Sequence, residues 1–261
     1  MPTGITTLLA VLSGSAVGFS LGLVGGGGSI LATPLLLYVV GVTPAHTAIG
    51  TSALAVAVNA YINFASHARR GNVRWRSAIV FALGGVIGAL VGSTLGKALN
   101  GDRLLFLFGL LMVVVGALML RRRHGADSVE RPNSLKSDSI VGVVSLMAGT
   151  ASGFFGIGGG FLIVPGLILA TGMPMINAVG SSLLAVGTFG TVTALNYAWS
   201  GLIDWSIAAE FIAGGAIGGL IGMRLACNLS TQKGVLNRVF AGLIFIVAAY
   251  VLYRSGQNIW G

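Results

Sequence analysis

Twice in this chain an apolar run is broken by a glycine cluster and resumes through a proline. Residues 22 to 34 carry Gly22, Gly25, Gly26, Gly27, Gly28, Ser29 and Pro34, and residues 153 to 165 carry Gly153, Gly156, Gly158, Gly159, Gly160 and Pro165. With 55% hydrophobic and 8% charged residues and a mean hydropathy of +0.93, both breaks fall inside an integral membrane protein. Irregular backbone is tolerated at membrane depth only where it is buried in protein or lines a cavity. A duplicated helix break is therefore the strongest pointer a sequence gives to a transporter's binding site.

The apolar stretches are too long for barrel strands and lack period-two alternation, so the expected fold class is all-α. The 42 glycines fit close approach of membrane helices. One cysteine, Cys227, leaves no internal disulfide and reads as a packing residue. The first apolar run starts at Ile5 with no Lys or Arg before it and is read as retained rather than cleaved. The net charge of +9 is crowded into short loops, where it serves topology beside anionic headgroups and argues for a bilayer rather than a nucleic acid as partner.

From Pro44 onward the two halves align without a gap at an offset of 130. Gly50-Thr51-Ser52 matches Gly180-Ser181-Ser182, Leu54-Ala55-Val56 matches Leu184-Ala185-Val186, and Trp75 matches Trp205. The glycines Gly84, Gly85, Gly88 and Gly92 match Gly214, Gly215, Gly218 and Gly222. The expected organisation is a first transmembrane repeat over 1–122, a cytoplasmic linker over 123–138 and a second repeat over 139–261.

Apolar segments fall at 5–24, 28–41, 46–66, 77–96, 104–120, 139–157, 160–172, 176–199, 206–224 and 238–253. The segment after each glycine cluster is short, about 20 Å long at ~1.5 Å per residue against a core of ~30 Å. Each cluster is thus expected to tip a hairpin that enters and leaves on one side, which gives each half three further crossings and makes the repeats inverted. The cytoplasmic loops then hold Arg69, Arg70, Arg74, Arg76, Arg121, Arg122, Arg123, Arg131, Lys136, Arg224, Lys233 and Arg238, leaving Lys97, Arg103 and Arg254 outside, a split of 12 to 3. Parallel repeats would give 10 to 5, so the positive-inside rule favours inversion.

In that arrangement the tips enter from opposite faces and meet near the midplane. Helices starting near Gly28 and Gly160 would aim free N–H groups and a positive dipole end at that point, which suits an anion. The expected substrate-binding residues are Gly25, Gly26, Gly27, Gly28, Ser29, Thr51, Ser52, Asn59, Gly156, Gly158, Gly159, Gly160, Ser181, Ser182 and Thr188. The hydroxyls can donate to an oxyanion or bond their own helix; Asn59 and Asn63 cannot hide in that way, so at least one should face a cavity. Glu210 is the acid clearly within a span and the candidate for proton coupling; His46 starts the helix after the first hairpin and reads as interfacial, while His67 and His124 read as loop residues. The four-residue spacing of Gly84, Gly88, Gly92 and Gly96, and of Gly214, Gly218 and Gly222, is helix-packing geometry.

A Gly-rich break followed by an apolar turn and Pro in each half, with Gly50-Thr51-Ser52-Ala53 and Gly180-Ser181-Ser182-Leu183 in the next helix, resembles the TauE/SafE family of membrane transporters over nearly the whole chain. The resemblance implies export of sulfite, sulfoacetate or other organosulfonates across a bacterial cytoplasmic membrane. An enzyme is not expected, because the serines lack a nearby base. No cofactor is expected, and the spans lack the clustered His, Asp or Cys of a metal site. The competing class is a channel or facilitator for small neutral solutes, which needs no oxyanion donors.

Overall fold

The computed structural model describes residues 4–121, 135–156, 160–229 and 235–260. Every regular element among them is helical. Helix α1 is Gly4–Val24. A 3₁₀ segment, Gly25–Leu31, leads into a short α2, Ala32–Leu35, which passes into a π turn, Leu36–Val40. Then follow α3 Ala45–Arg69, α4 Trp75–Ala98, α5 Gly101–Arg121, α6 Leu135–Phe155, α7 Gly160–Thr171, α8 Met175–Trp199, α9 Trp205–Leu229 and α10 Val235–Trp260. By length and composition α1, α3, α4, α8 and most of α9 suffice to cross a membrane. The chain is a multi-pass membrane protein.

The arm after Val24 changes helix type twice for a local reason. Four glycines in a row favour no single helical geometry, and Pro34 removes an N–H and crowds the carbonyl four residues back. Proline also sits inside α7, at Pro165. Helix termini are punctuated by left-handed glycines. Gly25 (φ 71°) closes α1 and Gly156 (φ 67°) closes α6, a conformation that costs an L side chain about 1–2 kcal/mol.

Glycine faces decide which helices touch. A Cβ built on Gly14, Gly18 or Gly22 of α1 would collide with the carbonyls of Phe211, Gly215 and Gly219 on α9. Gly88, Gly92 and Gly96 of α4 lie on Leu146, Thr150 and Phe154 of α6 in the same manner. The packing role expected for these glycines holds. In both pairs residue numbers rise together, so the helices run parallel. Gly50 of α3 lies on Tyr197 of α8, Gly190 on Ala53 and Ala57, and Gly187 on Tyr61; here numbers rise on one helix and fall on the other, so α3 and α8 run antiparallel. The pairings α1 with α9, α4 with α6, α3 with α8 and α5 with α10 dominate the packing. Exposed side chains along α4 (Ile79, Leu83, Ile87, Leu90 and Leu95) are apolar, as a lipid-facing surface requires.

The linker over 123–138 lies largely outside the described residues, and α6 begins at Leu135, a few residues before the expected boundary. The reading of His67 as a loop residue is corrected: it belongs to the last turn of α3 and is fully buried.

Candidate functional site

Among the described residues, the turns at Gly25 and Gly156 rest on separate seats. At the first, the Gly26 N–H donates to Ser182 Oγ (3.1 Å) and the Ser29 hydroxyl donates to the Gly26 carbonyl (2.8 Å). Gly25 presses on the same serine, 2.8 Å from Oγ to a built Cβ, and on Val179. At the second, Gly156 lies against Ile49, and Ser52 Oγ is 3.4 Å from the Gly156 carbonyl. Ser182 and Val179 stand at the offset of 130 from Ser52 and Ile49, so each tip rests on the equivalent seat in the opposite half. Because α3 and α8 are antiparallel, those seats lie toward opposite ends of the bundle, separated along the axis on the order of 20 Å at ~1.5 Å per residue. The turns at Gly25 and Gly156 therefore occupy separate seats, and behind them the returning segment Gly25–Leu31 packs against α7. The reason for the separation is length. Helix α1 spans 21 residues and runs beside α9 down to Gly22, and a 3₁₀ return rises ~2.0 Å per residue rather than 1.5, so the hairpin reaches well past the centre.

The hydroxyls divide by role. Thr51 Oγ1 accepts from the Asp204 N–H (2.9 Å) and Ser181 Oγ from the Arg74 N–H (2.9 Å), an exchange-related pair that ties down the loops entering α9 and α4. Ser52 donates to the Ile49 carbonyl and Ser182 to that of Val179, each at 2.8 Å. With those protons committed, Thr33 donates to Ser52 Oγ (2.8 Å). Thr33 joins the site without having been singled out from the sequence; its place one residue before Pro34, in the returning arm, was the available signal. Thr188 bonds its own Leu184 carbonyl (2.8 Å) and faces Tyr61 at the protein edge (3.5 Å), away from both tips. Gly27 and Gly28 lie in the 3₁₀ segment and Gly160 begins α7; Gly158 and Gly159 fall outside the described residues.

Between the seats α3 presents Asn59, which is fully buried with neither amide atom hydrogen-bonded among the described residues. Its amide lies against Gly215 of α9. One turn on, the Asn63 amide N–H donates to the Asn59 carbonyl (2.9 Å), and Asn63 Oδ1 is unpartnered. Each buried orphan costs about 1–3 kcal/mol, a penalty this chain carries at the depth where water is scarcest. Glu210 accepts from the Thr7 hydroxyl (2.9 Å) at the seam of α1 and α9, so it belongs to neither tip seat. His46 contacts the Leu99 carbonyl (3.0 Å) and lines an open cleft of about 590 Å³ with Tyr38, Thr43 and Asn100, consistent with an interfacial place.

Residues 10–251 match the model of the family described as Sulfite exporter TauE/SafE. A probable membrane transporter protein of Xylella fastidiosa (strain 9a5c) is 59% identical over 253 residues, covering 97% of each chain. The probable membrane transporter proteins YunE and YdhB of Bacillus subtilis are 24% and 25% identical, covering 95% and 92% of this chain and 98% and 100% of their own.

Proposed function

Because the chain belongs to the TauE/SafE sulfite exporter family, and is a membrane transporter, we propose that it moves small sulfur oxyanions such as sulfite or sulfoacetate outward by alternating access between two inverted repeats. The observation that carries this reading is the exchange of tip seats: Gly25 on Val179 and Ser182, Gly156 on Ile49 and Ser52. Relative motion of the halves has to break a seat at one end while the other can stay closed, which is the requirement of alternating access. The helix directions support inversion, since α3 and its equivalent α8 run antiparallel while α1 runs with α9 and α6 with α4.

The anion is held by neutral donors that exchange their present partners for it as a seat opens: the N–H groups of Gly26, Gly27 and Gly28 at one seat, the Thr33 and Ser52 hydroxyls at the other, and the Asn59 amide, without a partner among the described residues, between them. Neutral donors hold a dehydrated anion weakly enough to release it. Thr51 and Ser181 hold the scaffold. The test is flux into proteoliposomes with sulfite, sulfoacetate, taurine, sulfate and glycerol offered in parallel. Saturable uptake of sulfite or a sulfonate, without glycerol uptake, is expected. Glycerol flux without anion flux would replace this reading with a neutral-solute facilitator.

A further inference from the structure

Asn59, Asn63 and His67 lie at successive four-residue steps on one face of α3, and all three are buried, with exposures of 0%, 1% and 0%. They face the glycine sides of α1 and α9 through Gly22, Gly215 and Gly219. Four of their polar atoms, Asn59 Nδ2 and Oδ1, Asn63 Oδ1 and His67 Nδ1, have no partner among the described residues. The exposed loop at Arg70 and Gly71 begins a turn beyond His67, which gives this line a route to solvent at one end.

His67 Nε2 lies 3.1 Å from the Gly22 carbonyl. A carbonyl only accepts, so the proton is on Nε2 and Nδ1 keeps a bare lone pair. Gly22 is in the last turn of α1, where carbonyls lack helical partners and the dipole end is negative. A proton gained at Nδ1 would therefore sit beside the C-terminal end of α1. Gly22 also stands one turn before Gly25, so a charge at His67 acts on the helix end that carries the first tip. The charged and titratable groups around it are few. Arg70 follows on its own side, α1 has no titratable side chain, and α9 carries Glu210, Arg224 and Cys227, the last 3.8 Å from the Asn72 amide. In the second half the equivalent position is Tyr197, which does not titrate near neutrality.

The geometry points to His67 as the coupling-proton site of the transporter, with Nδ1 taking a proton from the loop side and releasing it as the first tip leaves its seat, and with Asn63 and Asn59 continuing the polar line toward the centre. This rests on the transporter reading but not on which anion is carried.

Two measurements decide it. In full-length protein labelled with ¹⁵N-histidine and held in nanodiscs, the His67 ring signals, identified by their loss in His67→Gln, should pass from the Nε2–H tautomer to the doubly protonated ring between about pH 8 and about pH 5. A ring that stays in one form across that range overturns the inference. In proteoliposomes with sulfite as probe, a one-unit pH gradient, about tenfold in proton activity, should accelerate wild-type net flux by up to that factor. His67→Gln should retain sulfite counterflow and lose the acceleration, whereas Glu210→Gln should keep both. A gradient response in His67→Gln equal to the wild type overturns the inference. A wild type that carries no sulfite defeats the anion reading instead, and the ring titration then decides this one alone.

Discussion

Gly25 and Gly71 hold nearly the same backbone conformation, φ 71° and φ 72°, yet Gly71 has open space where a Cβ would stand and Gly25 has Val179 and Ser182. Alanine at Gly71 should therefore cost only the left-handed strain of about 1–2 kcal/mol. Alanine at Gly25 should add a clash of about 1–3 kcal/mol against a backbone that cannot retreat. Thermal midpoints in detergent compare the two, and equal losses would mean the first seat is not tight. Asn59 has the opposite character. Asn59→Leu removes two unpartnered polar atoms at similar volume, so it should leave stability unchanged or raised while anion flux falls at least about tenfold, the scale of one good hydrogen bond to a charge. A destabilised but fully active Asn59→Leu would show that the amide is structural.

Elements carry the symmetry more visibly than residues do. The Thr51 and Ser181 hydroxyls each satisfy a backbone N–H just before α9 or α4, so Thr51→Val and Ser181→Ala should each cost about 1–3 kcal/mol. The two losses should match within experimental error, and a large difference would argue against equivalent scaffolding. The helix set itself was readable from hydropathy: the stretches 46–66, 77–96 and 176–199 sit inside α3, α4 and α8 with one to three residues added at most ends. Tip depth was not readable. It depends on the rise per residue of a glycine-rich arm, and the choice between 3₁₀, α and π geometry is made by packing against α7 and α8 rather than by composition. His67 was hidden by Arg69 and Arg70, which give the end of α3 a loop-like composition, although the spacing Asn59, Asn63, His67 already marked one helical face. That Thr51 and Ser181 also accept from loop N–H groups was not legible, since a hydroxyl that binds a ligand and one that holds a loop look alike in sequence.

At the scale of the molecule, the halves share a fold and differ where polarity matters. Asn59 has Phe189 as its equivalent, His67 has Tyr197, and Lys97 has Cys227. The symmetry is thus carried by the helices and broken at polar side chains. Inversion makes a direct prediction. Gly71 and Gly201 are equivalent, exposed loop positions with room for a side chain. In a Cys227→Ala background a cysteine at 201 should react with an impermeant maleimide in intact cells, and a cysteine at 71, beside four arginines, only after permeabilisation. Labelling of both from one side would mean parallel repeats. If the two tip seats are the working parts of the proposed anion carrier, sulfite flux should fail in proteoliposomes carrying Gly25→Ala or Gly156→Ala, each first shown to be folded and monodisperse. Loss of flux by more than about tenfold in both variants, with Gly71→Ala near wild type, is expected; wild-type flux through either tip variant would show that the tip seats are not part of the transport path.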